Sequence, residues 1–217
     1  MRERYEMTPD TFCEVCRLLY DRHLVTGVGG NLCVRVGEEF MVTPSGWSLR
    51  DMTPDSVVRL DSNGSTLSDV KPTKEAIMHL QILNARPDLN VVCHVHGVSI
   101  VAASAMLEPG ESSLPPVCPG FVYYAYPLPM LEFMVPGSAA LAASAAETML
   151  SRGRLAVLLQ NHGLIAAGPD WQTAVNVAEE VDEAASVFVL SQGKAKGIDD
   201  DKIRAIRGPW VRRRGYE

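Results

Sequence analysis

Positive charge is scarce in this chain: 20 Lys and Arg against 26 Asp and Glu leave a formal charge of −6, with a pI near 5.4. A broad phosphate-binding surface needs the opposite balance, so no nucleic-acid partner is expected. Long apolar runs are also missing. The longest, roughly Val98 to Leu107, falls well short of the ~18 residues that suggest a membrane span, and no membrane partner is expected. The start, MRERYEMTPDTF, is charged from its second residue and has no apolar h-region, so a secretory signal is not expected and a soluble, cytoplasmic protein is. Cysteine occurs in the odd number of five, which cannot all pair within one chain. Reduced thiols are the expectation. Cys13-x-x-Cys16 has no second such pair, and it lies inside the amphipathic stretch TPDTFCEVCRLLYDRHL, so both read as core thiols. Aromatic residues are few, at 6%, yet 47% hydrophobic and 21% charged residues over 217 positions exclude disorder and fibre. The 17 Gly and 14 Pro stand at scattered turn positions and not in a linker. One domain over residues 1–217 is expected.

Thr8-Pro9-Asp10 is a helix-start signature, and Phe12, Val15, Leu18 and Leu19 recur at helical spacing up to about Leu24. NLCVRV and FMVTP flank the turn Gly37-Glu38-Glu39 as a hairpin, and VVRLD with STLSD around Asn63-Gly64 suggests a second. A helix is predicted from Thr73, as N-cap, to about Ala85. NVVCHVH then reads as a strand, VSIVAASAM as a short helix, and FVYYAYPLP and LEFMV as further strands. The Ala-rich GSAALAASAAETMLSRG is helical, RLAVLLQNHGLIAAG holds two strands meeting at Asn161-His162-Gly163, and DWQTAVNVAEEVDEAASVFVLSQG is a long helix. The tail predicts a short helix followed by a patternless basic segment. Strands arranged in hairpins favour an α+β or three-layer α/β/α sandwich over a doubly wound parallel sheet.

Histidine is also sparse, with five in the chain, and three stand at strand ends: His94 and His96 in VVCHVHG, and His162 in LLQNHGL. Residues two apart in a strand face one side, so His94 and His96 can address one point. With His162 from a neighbouring strand they would make three nitrogen ligands with an open position, as in catalytic zinc sites; paired structural histidines are the competing account. His79 lies four residues after Glu75 on one helix face, where a packed histidine or a partner to the site would fit. His23 ends the first helix and reads as solvated. Glu75 lies in Lys71-Pro72-Thr73-Lys74-Glu75 at a helix start, where free N–H groups favour anions. TGVGGN offers a second nest of N–H groups with Asn31, and Thr43-Pro44-Ser45-Gly46 a third loop. Gly27-x-Gly29-x-x-Leu32 is no dinucleotide fingerprint, because Leu fills its last position and the loop precedes a strand.

Taken in order, TGVGGN, VTPSG, KPTKE, VVCHVHG and LLQNHGLIAAG resemble the class II aldolase/adducin family over roughly Thr8 to Gln192. The resemblance implies a three-layer α/β/α sandwich around a mainly antiparallel sheet, assembled as a homotetramer with active sites between subunits. It also implies that His94, His96, His162 and Glu75 are the metal site, with Glu75 a ligand or the acid/base. The metal implied is Zn2+, with Mn2+, Co2+ and Mg2+ as alternatives. Gly30, Asn31, Ser45, Gly46, Thr73 and Lys74 fall on the family's phosphate-binding positions, so a phosphorylated small molecule is the implied substrate. Tyr123, Tyr124 and Tyr126 stand as candidate proton donors against a packing role for at least two, and Tyr216 as a residue that could reach a neighbour's site.

The activity implied is a metal-dependent carbon–carbon lyase acting on a sugar phosphate or sugar-acid phosphate, with retro-aldol cleavage first. Lys74 stands where fuculose-phosphate aldolases carry Ser, and P-T-K-E is closer to the 3-oxo-tetronate 4-phosphate decarboxylases. Epimerisation comes third. An adducin-like interaction module is the rival from another class; it predicts missing metal ligands, and here the three histidines and the glutamate are present. A metal-sequestering protein would not need the anion-binding loops.

Overall fold

The structure is a computed structural model that describes residues 7–214, with side chains described up to residue 208. Helix α1 (Pro9–Asp21) opens with Thr8 as N-cap, its hydroxyl accepting from the Thr11 N–H, and it buries Phe12, Cys13, Val15, Cys16 and Leu19. Strands β1 (Asn31–Val36) and β2 (Glu39–Val42) form the expected first hairpin, with Val36 paired to Glu39 across the turn. Strand β3 (Val58–Leu60) extends the sheet beyond β2.

The second predicted hairpin is reduced to its turn, where Leu67 N–H donates to the Arg59 carbonyl at 2.8 Å and Asp61 N–H to the Ser65 carbonyl at 3.0 Å, with no second strand. Asp61 turns the chain locally instead, its carboxylate oxygen accepting from the N–H groups of Asn63 (2.9 Å) and Ser65 (2.8 Å). Only a single bridge, Leu60 to Thr66, remains of that pairing. STLSD has too little apolar surface to hold a strand against a core.

Helix α2 (Ala76–Ala85) begins two residues later than predicted, with Glu75 and not Thr73 in the N-cap slot. Strand β4 (Val91–Val95) is buried along its whole length and leads into α3 (Val98–Met106). FVYYAYPLP is not a strand: helix α4 (Pro119–Tyr124) takes up its start, with Pro119 in the first turn and packing against later helices. Tertiary burial overrides the β propensity of Phe, Val and Tyr here. From the LEFMV segment only Leu131 is in a strand, the two-residue β5 (Met130–Leu131). The remaining elements are α5 (Ala139–Met149), β6 (Ala156–Leu159), β7 (Gly163–Gly168), α6 (Trp171–Leu190) and α7 (Asp200–Arg214). The last continues through the basic segment that showed no pattern.

The strands make one seven-stranded sheet, ordered β3-β2-β1-β4-β7-β6-β5, antiparallel throughout except for β5 beside β6. Helices cover both faces. Cys93 of β4 points at the Ala174 carbonyl of α6, so its neighbour His94 points to the other face, toward Glu75 at the head of α2. Sheet and helices form the expected α/β/α sandwich with a mainly antiparallel sheet. All five cysteines are free, and four are buried; burial pushes the Cys93 thiol up to about 12, as core thiols require. Among the described residues no helix is long and apolar enough to cross a membrane.

Two substitutions separate local from core stabilisation. Asp170 caps α6 by accepting from the Thr173 N–H at 2.7 Å, and Asp170→Ala should cost about 1 kcal/mol. Phe12 is 0% exposed, and Phe12→Ala should cost about 3–5 kcal/mol. Urea unfolding measures both, and equal losses would contradict this division.

Candidate metal centre

The sheet register gathers the candidate residues at one end. Asn31 opens β1 opposite His94 near the end of β4, and His94 is in turn opposite Ile165 of β7. The β6–β7 hairpin closes with Leu159 opposite Gly163, which puts His162 at its tip beside the end of β4. Asn161 adopts the left-handed φ of 53° that this short connection needs, a conformation Asn tolerates better than most residues. Its N–H donates to Ser104 Oγ of α3 at 3.0 Å. Thus α3 starts just after His96 and also holds the turn that carries His162.

The three imidazoles meet through their Nε2 atoms. His94 Nε2 lies 2.8 Å from His96 Nε2 and 3.2 Å from His162 Nε2. His94 Nδ1 is 3.0 Å from the Leu164 carbonyl oxygen, so Nδ1–H donates there and Nε2 presents a lone pair. One lone pair can accept one hydrogen, and two other ring nitrogens crowd it. Ligand nitrogens about 2.0–2.1 Å from a tetrahedral zinc ion sit roughly 3.3 Å apart, close to the spacing found. Glu75 faces the same point, with Oε2 3.4 Å from His94 Nε2 and Oε1 3.7 Å from His162 Nε2. Oε1 is buried and accepts no hydrogen bond. The donor set and this orphaned oxygen fit a divalent cation, and His94, His96 and His162 form a group able to hold one, their ligand atoms all within 4.8 Å of one another.

Burial favours the neutral form of all three imidazoles, the state a metal ligand requires. His94 is pushed well below the usual histidine value, first by desolvation and then by the neighbouring His96 and His162. His96 and His162 are lowered, again chiefly by desolvation, with Glu75 opposing the shift. Two glycines make room for the cluster. A Cβ at Gly163 would come within 2.6 Å of His96 Cδ2 and 2.4 Å of the Val95 carbonyl; at Gly30, where φ is 75°, it would meet Val25 at 2.3 Å.

The loops expected to bind phosphate adjoin this centre. Thr43 exchanges main-chain hydrogen bonds with Leu32 and Thr73, Ser45 N–H donates to the Lys71 carbonyl at 2.9 Å, and Pro44 bridges to Pro72. Ser45, Gly46, Thr73 and Lys74 therefore lie on two loops tied side by side, next to the β1 start that carries Gly30 and Asn31. Gly46 and Lys74 are exposed. Thr73 does not cap α2 as expected; its hydroxyl accepts only a long 3.4 Å contact from the Glu75 N–H. Glu75 occupies the cap position, but its side chain turns to the imidazoles in place of capping.

Asn31 is buried, with Nδ2 donating to Glu75 Oε2 at 2.8 Å and Oδ1 meeting His79 Nε2. Sequence reasoning missed this bridge, the Ser104 tie and the Gly163 notch. The glycine directly after His162 was the visible signal for the last. Tyr123 and Tyr124 stack edge to face on each other, and Tyr126 on Phe121, as the packing role expects. His23 is exposed at the end of α1, and Tyr216 lies outside the described residues.

Residues 10–189 match the Class II Aldolase and Adducin N-terminal domain, and the chain belongs to the class II aldolase and adducin family. It is similar to the 3-oxo-tetronate 4-phosphate decarboxylase of Haemophilus influenzae, 31% identical over 194 residues that cover 88% of this chain and 91% of the relative. It is similar as well to the L-fuculose phosphate aldolase of Methanococcus maripaludis, 32% identical over 176 residues, 81% of this chain and 93% of that one. A solved L-fuculose 1-phosphate aldolase superposes with a TM-score of 0.84 at 26% identity, covering 94% of this chain and 95% of its own.

The buried histidines make stability pH-dependent. His79 is 0% exposed and its value falls to about 4, because desolvation outweighs the attraction of Glu75. The unfolded chain takes up that proton near 6.5 and the folded chain near 4, so stability is complete above pH 6.5 and declines as pH falls toward 4. His79→Gln keeps an N–H for Asn31 and removes the titrating ring. In chelator-treated protein it should flatten the decline by on the order of 3 kcal/mol, measured by urea unfolding between pH 7 and 4. Parallel pH curves for the two chains would show that His79 is not held neutral.

Proposed function

We propose that this protein is a divalent-metal-dependent lyase that opens a carbon–carbon bond beside a carbonyl in a phosphorylated sugar or sugar acid, by retro-aldol cleavage. One observation carries this reading: three imidazole nitrogens gather within 4.8 Å of one another, and the unpartnered Glu75 Oε1 lies 3.7 Å from His162 Nε2. His94, His96 and His162 would hold the cation, with Glu75 at its side. When bound, it would supply a Lewis acid that draws off the negative charge left on carbon as the bond opens. Zn2+ suits three imidazoles best, with Mn2+, Co2+ and Mg2+ as the alternatives.

The chain's own groups do the rest. Glu75 takes the proton from the substrate hydroxyl whose carbon leaves as the aldehyde, and returns a proton to the carbon that keeps the electron pair. Its Oε1 is free to do so because Oε2 is the atom held by Asn31. The loops at Gly30–Asn31, Ser45–Gly46 and Thr73–Lys74 hold the phosphate through N–H groups, hydroxyls and the Lys74 ammonium, fixing the reacting carbons over the centre. Buried side chains behind the histidines keep bulk water from one side.

A second reading, decarboxylation of a 3-oxo acid phosphate, is favoured by Lys74, an exposed cation next to Glu75 that can pair with a substrate carboxylate. The named relatives include both a decarboxylase and an aldolase. The two reactions leave the same charge on carbon and differ in what departs, CO2 or an aldehyde. The same family membership supports taking residues 1–217 as one domain in a homotetramer with active sites between subunits. Exposed apolar Val28, Val98 and Phe133, close in sequence or by hydrogen bond to the histidine-bearing segments, are consistent with a neighbour covering them.

Metal analysis, followed by a screen of phosphorylated ketoses and 3-oxo acid phosphates with separate assays for aldehyde and CO2, tests the proposal. His94→Ala should lose the metal, while Glu75→Gln should still take it up when metal is in excess and lose activity by about a hundredfold or more, from the lower end of acid–base contributions upward. Full activity in either variant refutes its assigned role. Lys74→Ser should lower kcat/KM for a carboxylated substrate about tenfold more than for an uncarboxylated one; equal effects would remove the case for decarboxylation.

A further inference from the structure

His79 is the one histidine that is fully buried and outside the metal cluster. It lies one helical turn after Glu75 on α2, yet the two side chains do not bond directly. Asn31 of β1 stands between them, with Nδ2 2.8 Å from Glu75 Oε2 and Oδ1 against His79 Nε2. The directions of these bonds follow from the chemistry of the groups. A carboxylate only accepts, so the Asn31 amide nitrogen must face Glu75. The amide oxygen then faces His79, and His79 must carry its hydrogen on Nε2. Its Nδ1 is buried with no partner, so nothing competes for the other tautomer's hydrogen.

Without that N–H, the Asn31 amide keeps only its bond to Glu75, and its oxygen is left buried without a donor. An amide anchored at one end in place of two can tilt, and the carboxylate it holds then leaves the position that sets Oε1 3.7 Å from His162 Nε2. We infer that His79 is a positioning residue that acts through Asn31 to aim Glu75 at the histidine cluster. The inference rests on the proposed metal site, and it assigns Asn31 a task besides its expected part in phosphate binding.

The test is Zn2+ affinity of the full chain, by competition with a chromophoric chelator, for His79→Leu and His79→Gln, each alone and with Glu75→Gln. Groups that orient ligands typically change metal affinity 10–100-fold. His79→Leu should weaken Zn2+ about tenfold, His79→Gln should stay within about threefold of the parent, and His79→Leu should change nothing further once Glu75 is Gln. Loss of the same size in both backgrounds overturns the inference, because His79 then acts on packing and not through Glu75. So does an unchanged affinity in His79→Leu while His94→Ala abolishes binding. Absence of Zn2+ binding in the parent chain refutes the metal site itself, and the inference falls with it. A second measurement avoids variants: 15N imidazole NMR of the metal-free protein at pH 7 should show His79 as the neutral Nε2–H tautomer, and the Nδ1–H tautomer overturns the inference.

Discussion

Three imidazole nitrogens held within contact of one another, one ring buried and two half-buried, impose the constraint on which the rest of this structure depends. Protonated rings would repel each other and lose hydration, so burial favours their neutral form and leaves lone pairs facing inward. The crowding has no good answer among the protein's own hydrogens, because His94 spends its Nδ1–H on Leu164 and its Nε2 can accept only once. The Glu75 oxygen without a partner adds a negative group to the same point. Such an arrangement costs stability in isolation, and a bound dication would relieve it.

The sheet supplies the rigidity that keeps this crowding in place. His94 sits within a strand paired on both sides, by β1 through Asn31 and by β7 through Ile165. His96 and His162 lie just beyond strand ends, where pairing no longer holds them, and α3 takes over: its first residue follows the His96-Gly97 joint, and its Ser104 secures the turn at Asn161. The space is matched to glycine at position 163, where any side chain would strike an imidazole and a carbonyl. Rigid positioning of this kind lets one centre stabilise charge without reorganising as it appears.

Both reactions considered for this site pose the same physical demand, an electron pair left on carbon beside a carbonyl. A scaffold that meets that demand can serve either, with the choice made at its rim by the groups that receive the part of the substrate that leaves. In the proposed reading Lys74 is such a group. It is exposed and precedes Glu75 directly, so the peripheral charge and the proposed acid/base are set by one turn of chain. The loops at Thr43–Gly46 and Lys71–Glu75 are tied by main-chain bonds, which keep that turn fixed relative to the sheet.

Much of the fold was legible locally. Alternation in NLCVRV and FMVTP, the helix start at Thr8-Pro9, and the apolar runs around Asn161-His162-Gly163 all specify structure over a few residues, where propensity and turn chemistry act. Order of motifs likewise sufficed to join His94, His96, His162 and Glu75. Where packing decided the outcome, local pattern misled: FVYY forms a helix because α6 and α7 cover it, and STLSD forms no strand because nothing apolar in it can be buried. The Asn31 bridge between Glu75 and His79, the clasp of Ser104 on the His162 turn, and the steric need for Gly163 join residues 44 to 69 positions apart. Amino-acid order determined which side chains could ligate, donate or turn; only the pairing of distant strands determined which of them meet, because hydrogen bonds and steric exclusion act over a few ångströms in space whatever the separation along the chain.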